Sequence, residues 1–288
     1  MATAGEYGEA LGAGQAGAAW LRVVRAMERA AQQRVIAERH ERLAAETGRE
    51  LHTSMAALHR SIEERHRIAG RLQEAYARRL TDWLTHRGAG RPVFMTGVAE
   101  ACGTRSAALT LLGPDLSQLA VAASDSSARA AQDLEFVLGA GPALDAARGL
   151  ATVSASGAAV EERWPGYGTG LAALRLAAVV AAPLRTADGC IGALTVFDPR
   201  PGLAEGGTLV GVAAALADGV LLGADAEPDL YGGTDLRVVV HQAAGMVSEQ
   251  LHCPVNDATA LIRARAFAAG ESPEAIALLI VSGDLKLN

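Results

Sequence analysis

Three histidines in the N-terminal part of the chain, His52, His59 and His66, recur every seven residues. Imidazole nitrogens bind metals and titrate near neutral pH, so such a series could form a metal site or a pH-sensitive surface. Seven residues of an α-helix rise about 10.5 Å, which is too far for three ligands of one ion. The spacing therefore excludes a shared metal and leaves two interpretations, a solvated helix flank and a pH-sensitive interface.

Patterns typical of cofactor binding and covalent catalysis are weak or missing in the sequence. Gly12 to Gly17 spells GAGQAG, formally a GxGxxG motif, but no buried strand precedes it, as a dinucleotide site requires. There is no GxxxxGK[ST] motif and no His, Cys and carboxylate cluster with metal-ligand spacing. Cys102, Cys190 and Cys253 are far apart and odd in number, which argues against a disulfide framework and fits a reducing cytoplasm. We therefore expect neither an enzyme nor a metalloprotein, and we identify no cofactor.

The composition is that of a folded protein with an uneven charge. Half of the 288 residues are hydrophobic and 20% are charged, which excludes global disorder. The net charge is −6, yet residues 20–87 contain 14 Arg against nine acidic residues, a local charge of +5. Because the signs alternate, a solvated helix face is favoured there over a nucleic-acid or membrane patch. No apolar run is long enough to span a bilayer, and residues 1–10 do not resemble a secretory signal.

Residues 18–87 have the pattern of long helices, and they follow a Gly/Ala-rich stretch, residues 1–17, that we expect to be disordered. In the second half of this segment, apolar residues recur at steps of three and four, as in the heptad seam of a coiled coil. A narrow apolar stripe needs a partner, so we expect either an intramolecular hairpin that breaks near Thr47 and Gly48 or a dimer seam. The candidate seam residues are Leu51, Met55, Leu58, Ile62 and Leu72.

Residues 88–222 alternate short apolar runs with Gly, Pro and Asp breaks, and the stretch Ser124 to Ser127 is interpreted as a loop. Two hairpins mixed with helices indicate an α+β domain with an antiparallel sheet, and residues 203–222 are predicted to form its closing helix. The predicted strands are Ala107–Leu112, Leu119–Ala123, Ala178–Leu184 and Cys190–Phe197.

Residues 223–234 are polar and Gly-rich and are predicted to be a linker. Residues 235–288 are predicted to form an all-α unit of three helices, over 236–251, 255–269 and from 273 onward. The third helix has the clearest start, because Ser272 suits the N-cap, Pro273 suits the first helical position and Glu274 places a carboxylate in the first turn.

The stretch RVVVHQAAGMVSEQLHCPVNDATALIRARAFAAGESPEAIA, Arg237 to Ala277, resembles an ANTAR domain, the RNA-binding output module of bacterial antiterminators. The family pattern has an Arg, a Gln-Ala-Lys-Gly stretch, a Leu-Arg pair and spaced alanines. This chain departs from it at Ala244, where the family has lysine, and at Thr259, where an aromatic is frequent. The matching residues, which align without a gap, are Arg237, Gln242, Ala243, Gly245, Ala258, Arg263, Ala266 and Ala277.

The middle segment resembles a GAF domain of the kind found with ANTAR in actinobacteria. The resemblance lies in FVLGAGPALDAARG (from Phe136), RWPGY (from Arg163) and APLRTADGCIGALTVFD (from Ala182). It implies a six-stranded sensory fold that binds a small-molecule signal, whose identity the sequence does not give. Phe136 and Trp164 are the candidate pocket residues.

Together the two resemblances imply a cytoplasmic, homodimeric, signal-responsive regulator that binds paired RNA hairpin loops and acts by transcription antitermination. The alternative is a protein-interaction or ligand-sensing regulator whose ANTAR unit has lost RNA binding. Ala244 favours this alternative, as do the four basic and six acidic residues of 234–288, because RNA affinity rests on neutralising phosphates. The candidate RNA-binding residues are Arg263, Arg237, His241, Gln242 and Arg265.

Gly245 lies at the centre of the first predicted helix of the ANTAR-like unit, where a glycine costs about 1 kcal/mol relative to alanine. Two interpretations would explain its presence. We favour close packing of another helix against Gly245 and Ala243, and the second interpretation is a close approach of RNA to the backbone.

Overall fold

The computed structural model describes residues 4–86, 91–204, 206–221 and 237–287, and the predicted linker 223–234 lies outside them. The described chain forms an N-terminal pair of long helices, a middle domain with a five-stranded antiparallel sheet, and a C-terminal unit of three helices. No described helix is long and apolar enough to cross a membrane. In chain order the elements are α1 (Ala4–Thr47), α2 (Glu50–His86), α3 (Phe94–Ala101), β1 (Ser106–Leu112), β2 (Gln118–Ala123), α4 (Ser126–Leu138), α5 (Pro142–Gly149), β3 (Val153–Ser156), α6 (Ala158–Arg163), α7 (Tyr167–Ala173), β4 (Ala178–Thr186), β5 (Gly189–Phe197), α8 (Thr208–Ala215), its π-helical continuation (Leu216–Leu221), α9 (Val238–Leu251), α10 (Val255–Ala269) and α11 (Pro273–Ser282).

Helices α1 and α2 pack against each other as an antiparallel hairpin that turns at Gly48, whose φ of +68° suits glycine. Of the two arrangements left open by the sequence, the structure therefore contains the intramolecular hairpin. Its far end belongs to the main core, where Leu72 and Tyr76 of α2 pack together with Ala16 and Ala19 of α1. Residues 1–17 were predicted to be disordered, whereas helix α1 begins at Ala4, and Ala16 of this stretch packs in the main core.

The predicted seam is buried at one end only. Leu72 is 1% exposed, whereas Leu51 and Leu58 are 58% and 48% exposed, and Met55 and Ile62 are partly exposed. The reason is that α2 reaches the middle domain only from Arg65 onward, where Arg65 pairs with Asp218, while the segment before Arg65 packs against α1. A dimer through the exposed half stays a prediction.

Two of the three spaced histidines lie in the contact between α1 and α2. His52 Nδ1 is 3.1 Å from Nδ1 of His40, and the His59 ring stacks on His40 with centroids 5.8 Å apart. Desolvation, followed by the charges of His52 and His59, lowers the pKa of His40. The interpretation as a solvated flank is therefore wrong for His52 and His59, and the pH-sensitive interface stays a prediction.

The sheet of the middle domain has strand order β2-β1-β5-β4-β3, with every neighbouring pair antiparallel. Both of its faces are buried, since Leu109 and Leu194 point into the core shared with α2, α3 and α8, while Ala108 and Phe197 point toward α4 and α7. Burial on both sides explains why the strands are continuous apolar runs. All four predicted strands are confirmed to within two residues at each end.

Several elements of the middle domain differ from the prediction. The sheet has five strands among the described residues rather than six, and β3 has no apolar run to reveal it. Of the stretch Ser124 to Ser127, which was predicted to be a loop, Ser124 and Asp125 lie outside the helix and Ser126 begins α4, because the Asp125 carboxylate accepts a hydrogen bond from Ala128 N at 2.8 Å as the N-cap. The closing helix starts at Thr208 rather than residue 203.

The C-terminal unit has the three predicted helices. Helix α10 runs over Val255–Ala269 as expected, and Ser272 caps α11 by accepting a hydrogen bond from Ala275 N at 3.1 Å. The apolar faces of the three helices form a second core together with one residue of α4. The buried members of this core are Phe136, Val240, Ala243, Ala244, Val247, Ala258, Ile262, Ala266, Ile276, Ala277 and Ile280.

Candidate functional site

The candidate RNA-binding residues lie on two surfaces of the C-terminal unit, and one of these surfaces faces the middle domain. Helix α4 of the middle domain packs against α10, and its Phe136 is 7% exposed within the core of the C-terminal unit. The two parts of the chain thus share buried apolar surface, and α4 is the element through which they meet.

Arg237 is the central polar residue of this interface. It is fully buried at the start of α9, with its guanidinium 4.2 Å above the Phe136 ring. Its Nε donates to Gln118 Oε1 at 2.6 Å, its Nη2 donates to Asp133 Oδ1 at 2.8 Å, and its Nη1 donates to Glu274 Oε1. The prediction that Arg237 contacts RNA is wrong for this arrangement, because β2, α4 and α11 enclose the side chain.

A second arginine balances the charge around Arg237. Arg129 of α4 lies 3.0 Å from Asp133 and 3.3 Å from Glu274, so two cations and two carboxylates form one cluster. The two carboxylate side chains are only 18% and 17% exposed. Paired in this way, the four charges tolerate burial, and loss of any one would leave a buried charge without compensation.

Arg263 of α10 crosses the C-terminal end of α4. Its Nε donates to the Val137 carbonyl at 3.3 Å, and its guanidinium lies 5.8 Å from the Phe136 ring centroid. Gly139, which caps α4 with a φ of +67°, makes room for this contact, because a Cβ there would lie 1.9 Å from Arg263 Nη2. Desolvation lowers the pKa of Arg263, and no described carboxylate forms an ion pair with it. In this arrangement the contact with α4 occupies the Nε of Arg263, and the side chain is only partly exposed.

His241 lies one helical turn after Arg237, on the same side of α9, as the four-residue spacing predicts. Its Nε2 is enclosed and has no hydrogen-bond partner among the residues that the structure describes. Gln242 and Arg265, in contrast, are exposed. The structure thus brings Arg237, Arg263 and His241 together at the interface and leaves Gln242 and Arg265 on the free surface.

Gly245 is exposed, and a Cβ built on it would meet nothing within 4 Å. The prediction that this glycine allows close helix packing is wrong, because Ala243 and Ala244 point into the core in its place. Ala244 also occupies the position of the family's lysine. The burial of this position explains why alanine packs well there, since a lysine would have to carry its ammonium out of the core.

The two candidate pocket residues of the middle domain do not form one pocket. Trp164 is buried beside Tyr167 in the core under α4 and α7, where its Nε1 donates to Asp145 Oδ2 at 3.1 Å. Phe136 points the other way, into the C-terminal unit. A shared pocket is therefore wrong, because Trp164 packs on the face of α4 that carries Ala128 and Ala131, whereas Phe136 leaves α4 toward the C-terminal unit.

A cavity of about 420 Å³ lies between the middle domain and the C-terminal unit, and it is the site that the sequence did not reveal. Residues of the β1–β2 turn, α4 and α5 form one wall, and residues of α9 and α10 form the other. The polar side chains on its walls are Asp115, Ser117, Gln118, Glu135, Arg148, His241, Asn256, Thr259 and Arg263.

Glu135 on the cavity wall is a buried carboxylic acid. Its Oε1 accepts a hydrogen bond from Leu144 N at 2.8 Å, and Gly141 allows this approach, since a Cβ there would lie 2.5 Å from Glu135 Cδ. Burial raises the pKa of Glu135 to about 7. The charge of Asp145 acts in the same direction, whereas the hydrogen bonds that Glu135 accepts act to lower the pKa. In the sequence, the only sign of this buried acid is the position of its carboxylate between Leu134 and Phe136 in an otherwise apolar helical turn.

Glu135 makes stability depend on pH in a direction that can be tested. Because its pKa is raised in the folded state, the unfolded chain releases the proton first, and the free energy of unfolding should fall as the pH rises from about 4.5 to about 7. Replacing Glu135 with Gln should remove this fall and stabilise the protein above pH 7 by on the order of 3 kcal/mol, given about 1.36 kcal/mol per pKa unit. Urea titrations at pH 5 and pH 8 would measure it.

The pH prediction has a matched control. Glu161, an exposed carboxylate that accepts hydrogen bonds from Gly166 N and Thr169 N, has a lowered pKa, so the Glu161→Gln substitution should destabilise the protein at both pH values. Equal slopes of stability against pH in wild type and the Glu135→Gln variant would contradict the assignment.

Comparison of the whole chain with models of known protein families gave no match, and comparison with curated proteins gave no significant match. The GAF and ANTAR resemblances therefore rest on the residues quoted above. Among the described residues, no group of three or more His, Cys, Asp and Glu side chains is placed to hold a metal ion.

Proposed function

We propose that this protein is a signal-responsive, RNA-binding regulator that acts by transcription antitermination, with the middle domain as sensor and the C-terminal unit as output. The observation that supports the proposal is that the middle domain covers Arg237, Arg263 and His241, which are three of the candidate RNA-binding residues. The same surface cannot contact α4 and RNA at once. The docked arrangement, in which the C-terminal unit packs against α4, therefore excludes RNA from this surface. A signal that changes the docking would change RNA binding.

The proposed regulation is a shift between docked and undocked populations. A signal can shift them only by its difference in affinity for the two states. The buried charge cluster around Arg237 gives the docked state a specific geometry, and the exposed Gln242, Gly245 and Arg265 leave only a weakly cationic surface in that state. Since RNA affinity depends on the number of phosphates neutralised, we expect weak binding when docked and stronger binding when undocked.

A substitution that undocks the C-terminal unit tests the proposal. Asp133→Lys places a cation beside Arg237 and Arg129, so it should separate α4 from α9 and α11. We expect this variant to bind an RNA with two adjacent hairpin loops at least tenfold more tightly than wild type at low salt. Filter binding at several salt concentrations would measure the affinity and its salt dependence.

Two further variants identify the contact residue. Adding Arg263→Gln to the undocked variant should remove most of the gained affinity. Lys286→Gln, which removes one exposed positive charge of the same unit outside the candidate RNA-binding residues, serves as the control. Failure of both wild type and the Asp133→Lys variant to bind RNA at low salt would refute RNA binding.

The second candidate is a protein-interaction or ligand-sensing regulator without RNA binding. It is favoured by the excess of six acidic over four basic residues in 234–288 and by the burial of Ala244, which leaves no cation at the family's lysine position. In that case the docking of the C-terminal unit would control the access of a protein partner to its surface, and none of the variants would bind RNA.

A further inference from the structure

The cavity between the middle domain and the C-terminal unit combines an apolar patch with a cation that has no described carboxylate partner. Leu119, Phe136, Leu144 and Val255 line it together with the guanidinium of Arg263. Its volume of about 420 Å³ lies within the range of small-molecule sites in proteins. Both parts of the chain contribute walls, so an occupant would touch both.

The acids on the cavity walls already have donors, and the cation Arg148 already pairs with Asp145 at 3.5 Å. Arg263 and His241, in contrast, have nitrogen atoms without an acceptor among the described residues. Asp115 accepts from Ser117 N at 3.0 Å and from Ser117 Oγ at 2.6 Å, and Glu135 accepts from Leu144 N. Arg263 uses only Nε, on the Val137 carbonyl, and has no described carboxylate partner. His241 Nε2 is enclosed without a partner among the described residues. A half-buried guanidinium next to an unsatisfied imidazole favours a bound acceptor of negative charge.

We propose that this cavity binds a small organic carboxylate, with the carboxylate on the Nη groups of Arg263 and His241 as a second donor, and with the apolar body against Phe136, Leu119 and Leu144. One negative charge matches one uncompensated guanidinium. A phosphate dianion fits less well, because Asp115 and Glu135 on the same walls would repel the second charge.

An occupant that contacts α4 and α10 together stabilises the docked arrangement, because undocking would open its site. Binding of the carboxylate does not depend on whether the protein binds RNA, whereas the consequence that the ligand lowers RNA affinity rests on the proposed function. The ligand would then act as a signal that keeps the output unit on the sensor.

Calorimetric titration of the full chain with benzoate tests the site, since benzoate joins a carboxylate to an apolar ring. We expect binding in about the millimolar range or tighter, and at least tenfold weaker binding of benzamide, which has the same shape without the charge. Inorganic phosphate forms the second arm. Absence of benzoate binding, or tighter binding of phosphate than of benzoate, would overturn the proposal.

Three variants locate the binding. Arg263→Gln should weaken benzoate at least tenfold, while Arg265→Gln, on the exposed side of the same helix, should leave it unchanged. The Thr259→Trp substitution fills the cavity with a larger side chain from α10 and leaves Arg263 in place. It should therefore also abolish benzoate binding, by steric exclusion and without a change in charge. Benzoate affinity that is equal in wild type, Arg263→Gln and Thr259→Trp would place the ligand elsewhere and refute the site.

RNA titration with and without benzoate separates the two proposals. Weaker RNA binding in benzoate for wild type, but not for Thr259→Trp, supports ligand-controlled docking. If no variant binds RNA while the calorimetric results hold, the proposed function fails and the ligand site stands. If RNA binds equally with and without bound benzoate, the regulatory consequence is wrong.

Discussion

The Arg237→Ala substitution is expected to destabilise the docked C-terminal unit by about 3–5 kcal/mol, the usual cost of removing one partner from a buried ion pair. The reason is that Asp133 and Glu274, each less than one-fifth exposed, would keep only Arg129 as a shared cation, which leaves one negative charge of the cluster uncompensated. Phe136 would also lose the guanidinium stacked 4.2 Å from its ring. We expect faster hydrogen exchange in α9 to α11 and in α4, because these elements share the interface.

Arg265→Ala provides the control for Arg237→Ala, because it removes the same side chain from the exposed side of α10 and should change stability by less than about 0.5 kcal/mol. A double-mutant cycle with Asp133→Ala would isolate the pair energy, which should be favourable by more than about 1 kcal/mol. If Arg237→Ala is as mild as Arg265→Ala, the interface between α4 and the C-terminal unit is not the stable arrangement.

The Leu72→Ala substitution is expected to lower the free energy of unfolding by about 3–5 kcal/mol, as for other fully buried leucines. Leu72 is 1% exposed in the core that joins the helical hairpin to the sheet. The cavity left behind could not be filled by the neighbouring Tyr76 and Val98 without distorting α2 or α3. Chemical denaturation followed by circular dichroism would measure the change.

Leu51→Ala is the matched control for Leu72→Ala, because the two leucines are three heptads apart on the same seam and Leu51 is 58% exposed. In a monomer, this control should cost less than about 0.5 kcal/mol. The double variant Leu58→Asp and Ile62→Asp tests the proposed dimer, since it should halve the mass measured by light scattering. An unchanged mass and unchanged stability would contradict a dimer seam at this end of α2.

Local signals in the sequence were sufficient for most elements near the site. The hairpin turns at Gly113 to Asp115 and at Asp188 and Gly189 delimit strands whose ends were predicted to within two residues. The Ser272 cap starts α11 as expected. Such signals depend on neighbours in the chain, which is why they can be recognised without knowledge of the packing. Helix α4 was not predicted, and its start was interpreted as a loop because Asp125 serves equally well in a turn and as an N-cap.

The candidate site was only partly predictable. The spacing of Arg237 and His241 correctly placed them on one side of α9, but the partners of Arg237 come from positions 118, 133 and 274. No regular spacing links these positions, since they meet only when β2, α4 and α11 converge. Glu135 and the cavity beside it were missed for the same reason.

What the sequence determined by itself is which residues share a face of a helix or strand, because 3.6-residue and two-residue periods are local properties of the backbone. What only the tertiary structure decided is what each face packs against. Leu51 and Leu72 have the same place in the heptad, yet one is exposed and the other buried, because only one end of α2 reaches the middle domain. Arg237 has the pattern of a surface cation, yet it is enclosed, because its counter-charges come from positions 104 and 37 residues away, at Asp133 and Glu274.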